Sequence, residues 1–328
     1  MNPKLGKSLK LVLALMVLGV VVFAHKLLPH RWQQIAILWA IWGTVGMGWL
    51  MILRVGQFSA GQAVFLCIGG YSAGVLTLKF NCPFWLALVM SATLCSIAAL
   101  VVGAIILRLK GLYFLVISFV FAEITRLTIA ASDYLGSSEG LWGMPIPKDI
   151  GPVSFSTKQG WLYLFILILG LAGLTYRRME RSRIGRIYSY IGASTDLAQS
   201  FGIYYMKYRV QAYVISAFFT GLAGAAMAVY VGAVNPEGFT FYYSLVAQIV
   251  AIIGGVGSIV WGPLLGSFLY TVFDEYLVYM PGARSLVMGI LLLAVIFFLP
   301  EGLISVKRRY LERKGRKTVA GTEAAATH

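Results

Sequence analysis

Histidine and cysteine are nearly absent from this chain, with three of each in 328 residues, and charge is scarce, at 12% of positions. His25 and His30 lie near the start and His328 is the last residue, so no metal-ligand spacing arises from them. The same scarcity removes Ser/His/Asp and Cys/His nucleophiles, because histidine is missing wherever a site could be built. Cys67, Cys82 and Cys95 form neither a redox pair nor a ligand set and read as packing residues. Phosphate-binding loops are missing too. Gly6-Lys7-Ser8 matches only the end of such a motif, with no strand before it and no room for its first glycine. Gly254-Gly255-Val256-Gly257 follows an apolar helix without the strand and acid of a dinucleotide site, and close helix packing accounts for it. No catalytic set, no metal site and no ATP site are expected on this chain.

What the chain has in place of charge is hydrocarbon. Apolar residues make up 59% and mean hydropathy is +0.82, where a soluble domain has roughly 45–50% apolar and about 25% charged residues. The excess comes in runs such as 11–24, 35–53, 84–107, 112–131, 161–176 and 285–299, several near the roughly 20 residues that cross a bilayer as a helix. Hydrocarbon offers no water to backbone groups, so each run must satisfy its own hydrogen bonds, and none alternates as a barrel strand does. The expected fold is an all-α polytopic membrane protein of about ten transmembrane helices: 9–25, 34–53, 58–78, 84–107, 111–131, 160–176, 206–232, 242–259, 262–280 and 284–300. Glycine crowds the third span and the eighth and ninth, which allows broken as well as straight helices there.

Charge sets the orientation. Placing Met1 inside puts twenty Lys and Arg on inner segments and six on outer ones, with Arg126 inside a span, and positive charge accumulates in cytoplasmic loops. Both termini are then cytoplasmic. The net charge of +15 follows from this bias and needs no nucleic acid, while membrane lipid is a natural contact for the basic stretch 307–317. The first span, flanked by lysines and lacking a small-residue cleavage site, is expected to be retained. The membrane domain covers 1–306, with an outer loop at 132–159 and an inner segment at 177–205, and 307–328 is a basic tail of disordered composition.

Arg177 to Gly202 interrupts the apolar pattern. Ile184, Ile187, Tyr188 and Ile191 recur at helical spacing and share one face of a short helix, flanked by Arg181, Arg183 and Arg186. Gly192 is placed to end that helix, and Ser194 or Thr195 to cap a second, which carries Asp196, Leu197, Ala198 and Phe201 and closes at Gly202. Such a corner suits a groove in a soluble partner, and it suits an anionic leaflet equally well. Within the spans, Glu123 and Arg126 stand i, i+3 and can neutralise each other, whereas either alone in hydrocarbon costs at least ~2.5 kcal/mol. A structural ion pair and a pair bordering a solute path both fit. Ser59, Gln62 and Tyr71 offer hydrogen bonds on a helix whose Gly70 and Gly74 also suit packing alone, and Ala217, Gly221 and Ala225 form a small-residue face.

Taken in order, several strings form a pattern: Gly56-Gln57-Phe58-Ser59-Ala60-Gly61-Gln62-Ala63, then Gly111-Leu112-Tyr113-Phe114 and Phe121-Ala122-Glu123-Ile124-Thr125-Arg126-Leu127. It continues with Gly136-Ser137-Ser138-Glu139-Gly140-Leu141, Ser182-Arg183-Ile184-Gly185-Arg186, Asn235-Pro236-Glu237-Gly238-Phe239, and Gly254-Gly255-Val256-Gly257-Ser258 with Trp261-Gly262-Pro263. The pattern resembles the LivM-type permease subunits of branched-chain amino acid ABC importers over most of the chain. It departs from that family at Gln62, where a histidine is common, at Gly192-Ala193-Ser194-Thr195, where acids are common, and at Glu301, where an arginine is common.

The resemblance implies a non-catalytic subunit of the bacterial inner membrane working by alternating access. It implies a second, related permease, two cytoplasmic ATPase subunits that use ATP and Mg, and a periplasmic solute-binding protein as partners, with no cofactor on this chain. Coupling to the ATPases would fall on Arg183, Ile184, Gly185, Arg186, Ile187, Ile191, Ser194, Asp196, Phe201 and Gly202. The solute path or its gate would involve Glu123, Arg126, Ser59, Gln62 and Tyr71, and the binding protein would meet Glu139, Asn235 and Glu237. Leucine, isoleucine and valine are the family's usual cargo, with urea, short amides and other small carboxylates as alternatives. An ion-coupled secondary transporter is the competing class, but such carriers usually show intramembrane carboxylates and an inverted repeat. Here the intramembrane acid brings its own arginine, and no repeat relates the halves.

Overall fold

The computed structural model describes residues 30–149 and 154–277, together with Gly289. The spans expected at 9–25 and 284–300, and the tail 307–328, lie outside the described residues. In chain order the helices are α1 (His30–Arg54), α2 (Ala63–Leu78), α3 (Phe84–Ile106), α4 (Leu112–Ala130), α5 (Lys158–Arg181), α6 (Arg183–Ala193), α7 (Thr195–Ser200), α8 (Tyr205–Val231), α9 (Phe241–Gly254) and α10 (Trp261–Leu277). Six stretches are long and apolar enough to cross a membrane: α1, α3, α4, α5, α8 and Pro236–Gly254, which contains α9. Of the ten expected spans, eight fall on described residues, and six of these are long and apolar enough to cross; α2 is apolar but shorter, and α10 has 17 residues.

Helix α8 is the axis of the bundle, touching α1, α2 and α3. Lipid tails are as apolar as leucine, so spans associate through close van der Waals contact and small residues. Ala212, Ala217, Ala223, Ala225 and Ala226 of α8 are fully buried, and Gly221 stands so close to Gly69 of α2 that a Cβ on Gly69 would lie 2.2 Å from its carbonyl oxygen. The small-residue face read from the sequence is therefore the central seam.

Of the two forms open to the third span, the structure takes the broken one. Helix α2 has 16 residues, about 24 Å at 1.5 Å per residue, which falls short of the roughly 30 Å hydrocarbon core. Residues 57–62 enter the bundle without helical structure and complete the crossing. Non-helical backbone at this depth needs internal partners. Ser118 of α4 accepts from the Ala60 amide (3.0 Å), Ser244 of α9 accepts from the Ala63 amide (3.0 Å), and the Ser59 carbonyl accepts from Trp49 Nε1 (2.8 Å) and Gln248 Nε2 (3.4 Å).

Between α9 and α10 the expected spans at 242–259 and 262–280 are separated by a tight corner, and α9 ends at Gly254. Gly255 takes a positive φ of 102°, and a Cβ on Gly254 would lie 1.7 Å from the Gly262 carbonyl oxygen, so only glycine fits. At the opposite end of the bundle, β1 (Leu141–Trp142) pairs antiparallel with β2 (Ala233–Val234), Leu141 facing Val234. This ribbon ties the loop after α4 to the end of α8.

Candidate functional site

The two ends of the bundle differ in charge. Arg54, Arg108, Lys110, Arg177, Arg178, Arg181, Arg183, Arg186, Lys207 and Arg209 gather at the end formed by the last turns of α1, α3 and α5 and the first of α8, with Glu180 and Asp196 as the described acids there. Arg31, Lys79, Lys148 and Lys158 share the other end with Asp133, Glu139, Asp149, Glu237, Asp274 and Glu275. The loops that the sequence grouped together by charge are thus grouped in space.

The interruption at the basic end is a helical corner built by two serines. Ser182 Oγ accepts from the Ile184 and Gly185 amides (3.2 and 3.4 Å) and starts α6, and Ser194 Oγ accepts from the Leu197 amide (3.2 Å) and starts α7. Gly192 was expected to end the first helix, but α6 continues to Ala193. Its glycine serves close approach instead, since a Cβ there would lie 2.4 Å from the Arg54 carbonyl oxygen. The apolar stripe turns inward: Tyr188 and Ile191 are buried, Ile184 and Ile187 half-buried, and α6 rests on α1, α5 and α8. Arg183 and Arg186 are exposed, as are Tyr190 (60%), Leu197 (58%) and Phe201 (77%), before Gly202 turns the chain with φ +74°. Lys110 Nζ donates to Asp196 Oδ1 at 2.8 Å and holds that carboxyl below the usual carboxylate range.

Two charge-centred junctions lock this end. Glu180 of α5 accepts from Arg54 Nη2 (3.4 Å), the Ile259 amide (3.1 Å) and Ser258 Oγ (3.4 Å), while Arg54 Nη2 also donates to the Val256 and Gly257 carbonyls (3.2 and 2.7 Å). A cleft of about 400 Å³ opens beside this junction, lined by Leu50, Leu53, Arg54, Ser189, Gly192, Val256 and Gly257. The second junction is Arg209, which the sequence reading counted only as an inner-side charge. It is 2% exposed and donates to Val55, Leu107 and Thr195.

The residues expected along a solute path fall into two places. Ser59, Gln62 and Tyr71 are buried inside the bundle, where Gln62 Nε2 donates to Ser216 Oγ (3.0 Å) and Thr220 Oγ1 (2.7 Å), while its Oε1, like the Tyr71 hydroxyl, has no partner among the described residues. Glu123 and Arg126 lie on α4, joined by a bidentate ion pair in which Arg126 Nε meets both carboxylate oxygens at 3.1 Å and Nη2 meets Oε1. The pair is partly exposed, at 35% and 21% of the two side chains. Helix α4 is only 17% buried, and it presents Tyr113, Val116, Phe119, Val120, Ile124 and Leu127 outward beside the pair. Helix α3 also presents an outward face, but Leu86, Val89, Leu94, Ile97, Leu100, Val101 and Ile105 leave it uncharged, and the exposed Thr93 hydroxyl is turned back onto the Val89 carbonyl (2.9 Å). Lipid suits the α3 face. The α4 face needs a neighbour that can accommodate charge.

Glu139, Asn235 and Glu237 meet at the other end through the ribbon. Asn235 Oδ1 accepts from the Gly238 amide (3.0 Å) and caps a short 3₁₀ turn at Pro236–Phe239, Glu237 on that turn is exposed, and the Glu139 carbonyl accepts from Trp142 Nε1 (2.7 Å). A cleft of about 240 Å³ lies between Trp142, Met227, Val231, Asn235, Phe239 and Tyr243. Pairing between strands of two residues leaves no periodicity, so the ribbon carries no signature that a sequence reading could find.

Apolar spans around a small-residue seam, a charged corner at one end and a polar pair on an open helix face mark a polytopic helical membrane protein. The family of branched-chain amino acid transport system permease components matches residues 32–296, and the chain belongs to it. It is 27% identical over 94% of its length, and 78% of the relative's, to the high-affinity branched-chain amino acid transport system permease protein LivM of Salmonella typhimurium. LivM of Escherichia coli is equally similar, at 27% over the same shares. The fructose import permease protein FrcC of Rhizobium meliloti is 22% identical over 83% of this chain and 78% of its own. No solved structure matches. The chain is therefore a membrane permease of the ABC-transporter class.

Proposed function

We propose that this chain is one permease subunit of an ATP-driven importer of branched-chain aliphatic amino acids in the bacterial inner membrane, with the basic end and both termini cytoplasmic. The observation that carries the reading is the corner α6–α7. Its apolar stripe is spent against the chain's own spans, which ties it mechanically to the bundle, while Arg183, Arg186, Leu197 and Phe201 remain exposed for a soluble partner. A helix lying on lipid would turn its apolar stripe outward to the membrane, so two ATPase subunits, which use ATP and Mg, are the favoured occupants over an anionic leaflet.

The path runs along the open face of α4, between this subunit and a second, related permease. An apolar face with one ion pair matches a zwitterion that carries an aliphatic side chain. At the other end, Glu139, Asn235 and Glu237 surround the approach of a periplasmic solute-binding protein. ATP binding draws the corners together, and the spans rock between outward and inward openings. Ser59 and Gln62 act from within the packed core, by shaping the broken crossing rather than by touching solute.

Charge reversal at Arg183 and Arg186 together tests the carrying observation. The double variant should lose most of the ATPase that co-purifies with the wild-type complex while still inserting in the membrane, and unchanged co-purification counts against the reading. Glu123→Gln combined with Arg126→Gln should lower leucine uptake with assembly intact, because both charges are lost from the path; normal uptake leaves that pair a structural role alone.

A further inference from the structure

Arg209 is an arginine with no carboxylate partner among the described residues, yet it is buried at 2% exposure. A charge in such a place is retained only where hydrogen bonds replace its water. Its three donors diverge to three separate elements: Nε to the Val55 carbonyl at 3.3 Å, Nη1 to the Leu107 carbonyl at 3.3 Å and Nη2 to Thr195 Oγ1 at 2.8 Å, with the guanidinium 4.8 Å from the Tyr205 ring. Val55 opens the turn that leads into the broken crossing at 57–62, Leu107 closes α3, and Thr195 begins α7. Gln57, the first residue of the crossing, donates to the same Leu107 carbonyl (3.4 Å) and to that of Leu109 (3.0 Å).

We infer that Arg209 and Thr195 form the link through which movement of α7 reaches the broken crossing, so that Arg209 is a positioning residue for transport. An arginine serving only to hold the bundle would need Val55 and Leu107 and nothing from the corner. The third bond, the shortest of the set, reaches outside the bundle to the first residue of α7. Among the described residues, the other side-chain tie from α7 to an element outside the corner is the exposed Lys110–Asp196 pair, and exposed pairs transmit little because water competes for both charges. Planar geometry explains the residue type, since a lysine ammonium cannot meet three acceptors spread in the fork of a guanidinium.

This inference rests on the transport reading, and the experiment separates the two. The complex with its second permease, ATPases and binding protein is reconstituted in proteoliposomes, with leucine as the probe, for wild type, Thr195→Val, Thr195→Ser, Arg209→Lys and Lys110→Ala. Loss of one charge-assisted hydrogen bond predicts about a tenfold fall in leucine moved per ATP hydrolysed for Thr195→Val and Arg209→Lys. Thr195→Ser, which keeps the hydroxyl, and Lys110→Ala should stay within about twofold. Amide exchange at 55–62 should change when vanadate traps the ATPases of wild type, and that response should vanish in Thr195→Val, an effect that loss of stability alone would not produce. A Thr195→Val complex with wild-type coupling and a wild-type exchange response overturns the link while leaving the functional reading standing. A wild-type complex that moves no leucine on ATP overturns the functional reading, and the link with it.

Discussion

At the basic end, Arg54, Glu180 and Arg209 reach from one helix to the backbone of another, fixing the 256–259 loop, the root of the crossing at Val55 and the end of α3. At the opposite end, Trp161 packs edge-on against Phe84, Phe155 and Tyr230, and a backbone ribbon of two-residue strands joins the loops. Charge-to-backbone contacts are directional, so a displacement either carries the partner along or breaks the bond. Aromatic edges leave more latitude around a single anchor, here Trp161 Nε1 donating to the Phe155 carbonyl (2.9 Å). The first construction suits an end that receives force, and the second suits an end that accommodates a docking partner.

The largest separation between the ends should come from glycine packing at the basic corner. Gly254→Val drives a side chain into the Gly262 carbonyl and should destabilise the protein by about 3 kcal/mol or more, seen as loss of a folded peak in size-exclusion and a lowered thermal midpoint. Next, Glu180→Ala leaves Arg54 without its carboxylate and the Ile259 amide without its acceptor, at about 2 kcal/mol. Gln34→Ala is its counterpart at the other end, removing the acceptor of Tyr230 and Lys158 for about 1 kcal/mol. Equal thermal shifts for the two would erase the contrast. A smaller effect is expected on binding: Glu139→Gln with Glu237→Gln should weaken the solute-binding protein a few-fold at low salt and hardly at all at high salt, by titration calorimetry. The smallest belongs to Lys110→Ala, whose exposed partner Asp196 already competes with water, so thermal midpoint and ATPase co-purification should match wild type.

Much of this arrangement is written in local chemistry. A cap at Ser194 or Thr195 was legible because small hydroxyls stood ahead of a polar turn, and the structure uses Ser194; the stripe from Ile184 to Ile191 was legible from its spacing, but its inward direction was not, because periodicity marks a face without saying what covers it. Ala217, Gly221 and Ala225 announced a seam by size alone. Glu123 and Arg126 announced their pairing by spacing, and the half-open face around them needed the neighbouring helices. Arg209 escaped notice because one arginine at the start of a span looks like any interfacial charge; its three acceptors come from residues 55, 107 and 195. The crossing at 57–62 was legible only as an excess of glycine, since the serines that satisfy it lie on α4 and α9.

ATP-dependent leucine uptake by the full complex in proteoliposomes tests the central claim most directly. The account predicts uptake that requires ATP and the binding protein and that is lost when Arg183 and Arg186 are both reversed to glutamate. Uptake that persists without ATP and follows an imposed proton or sodium gradient would contradict it.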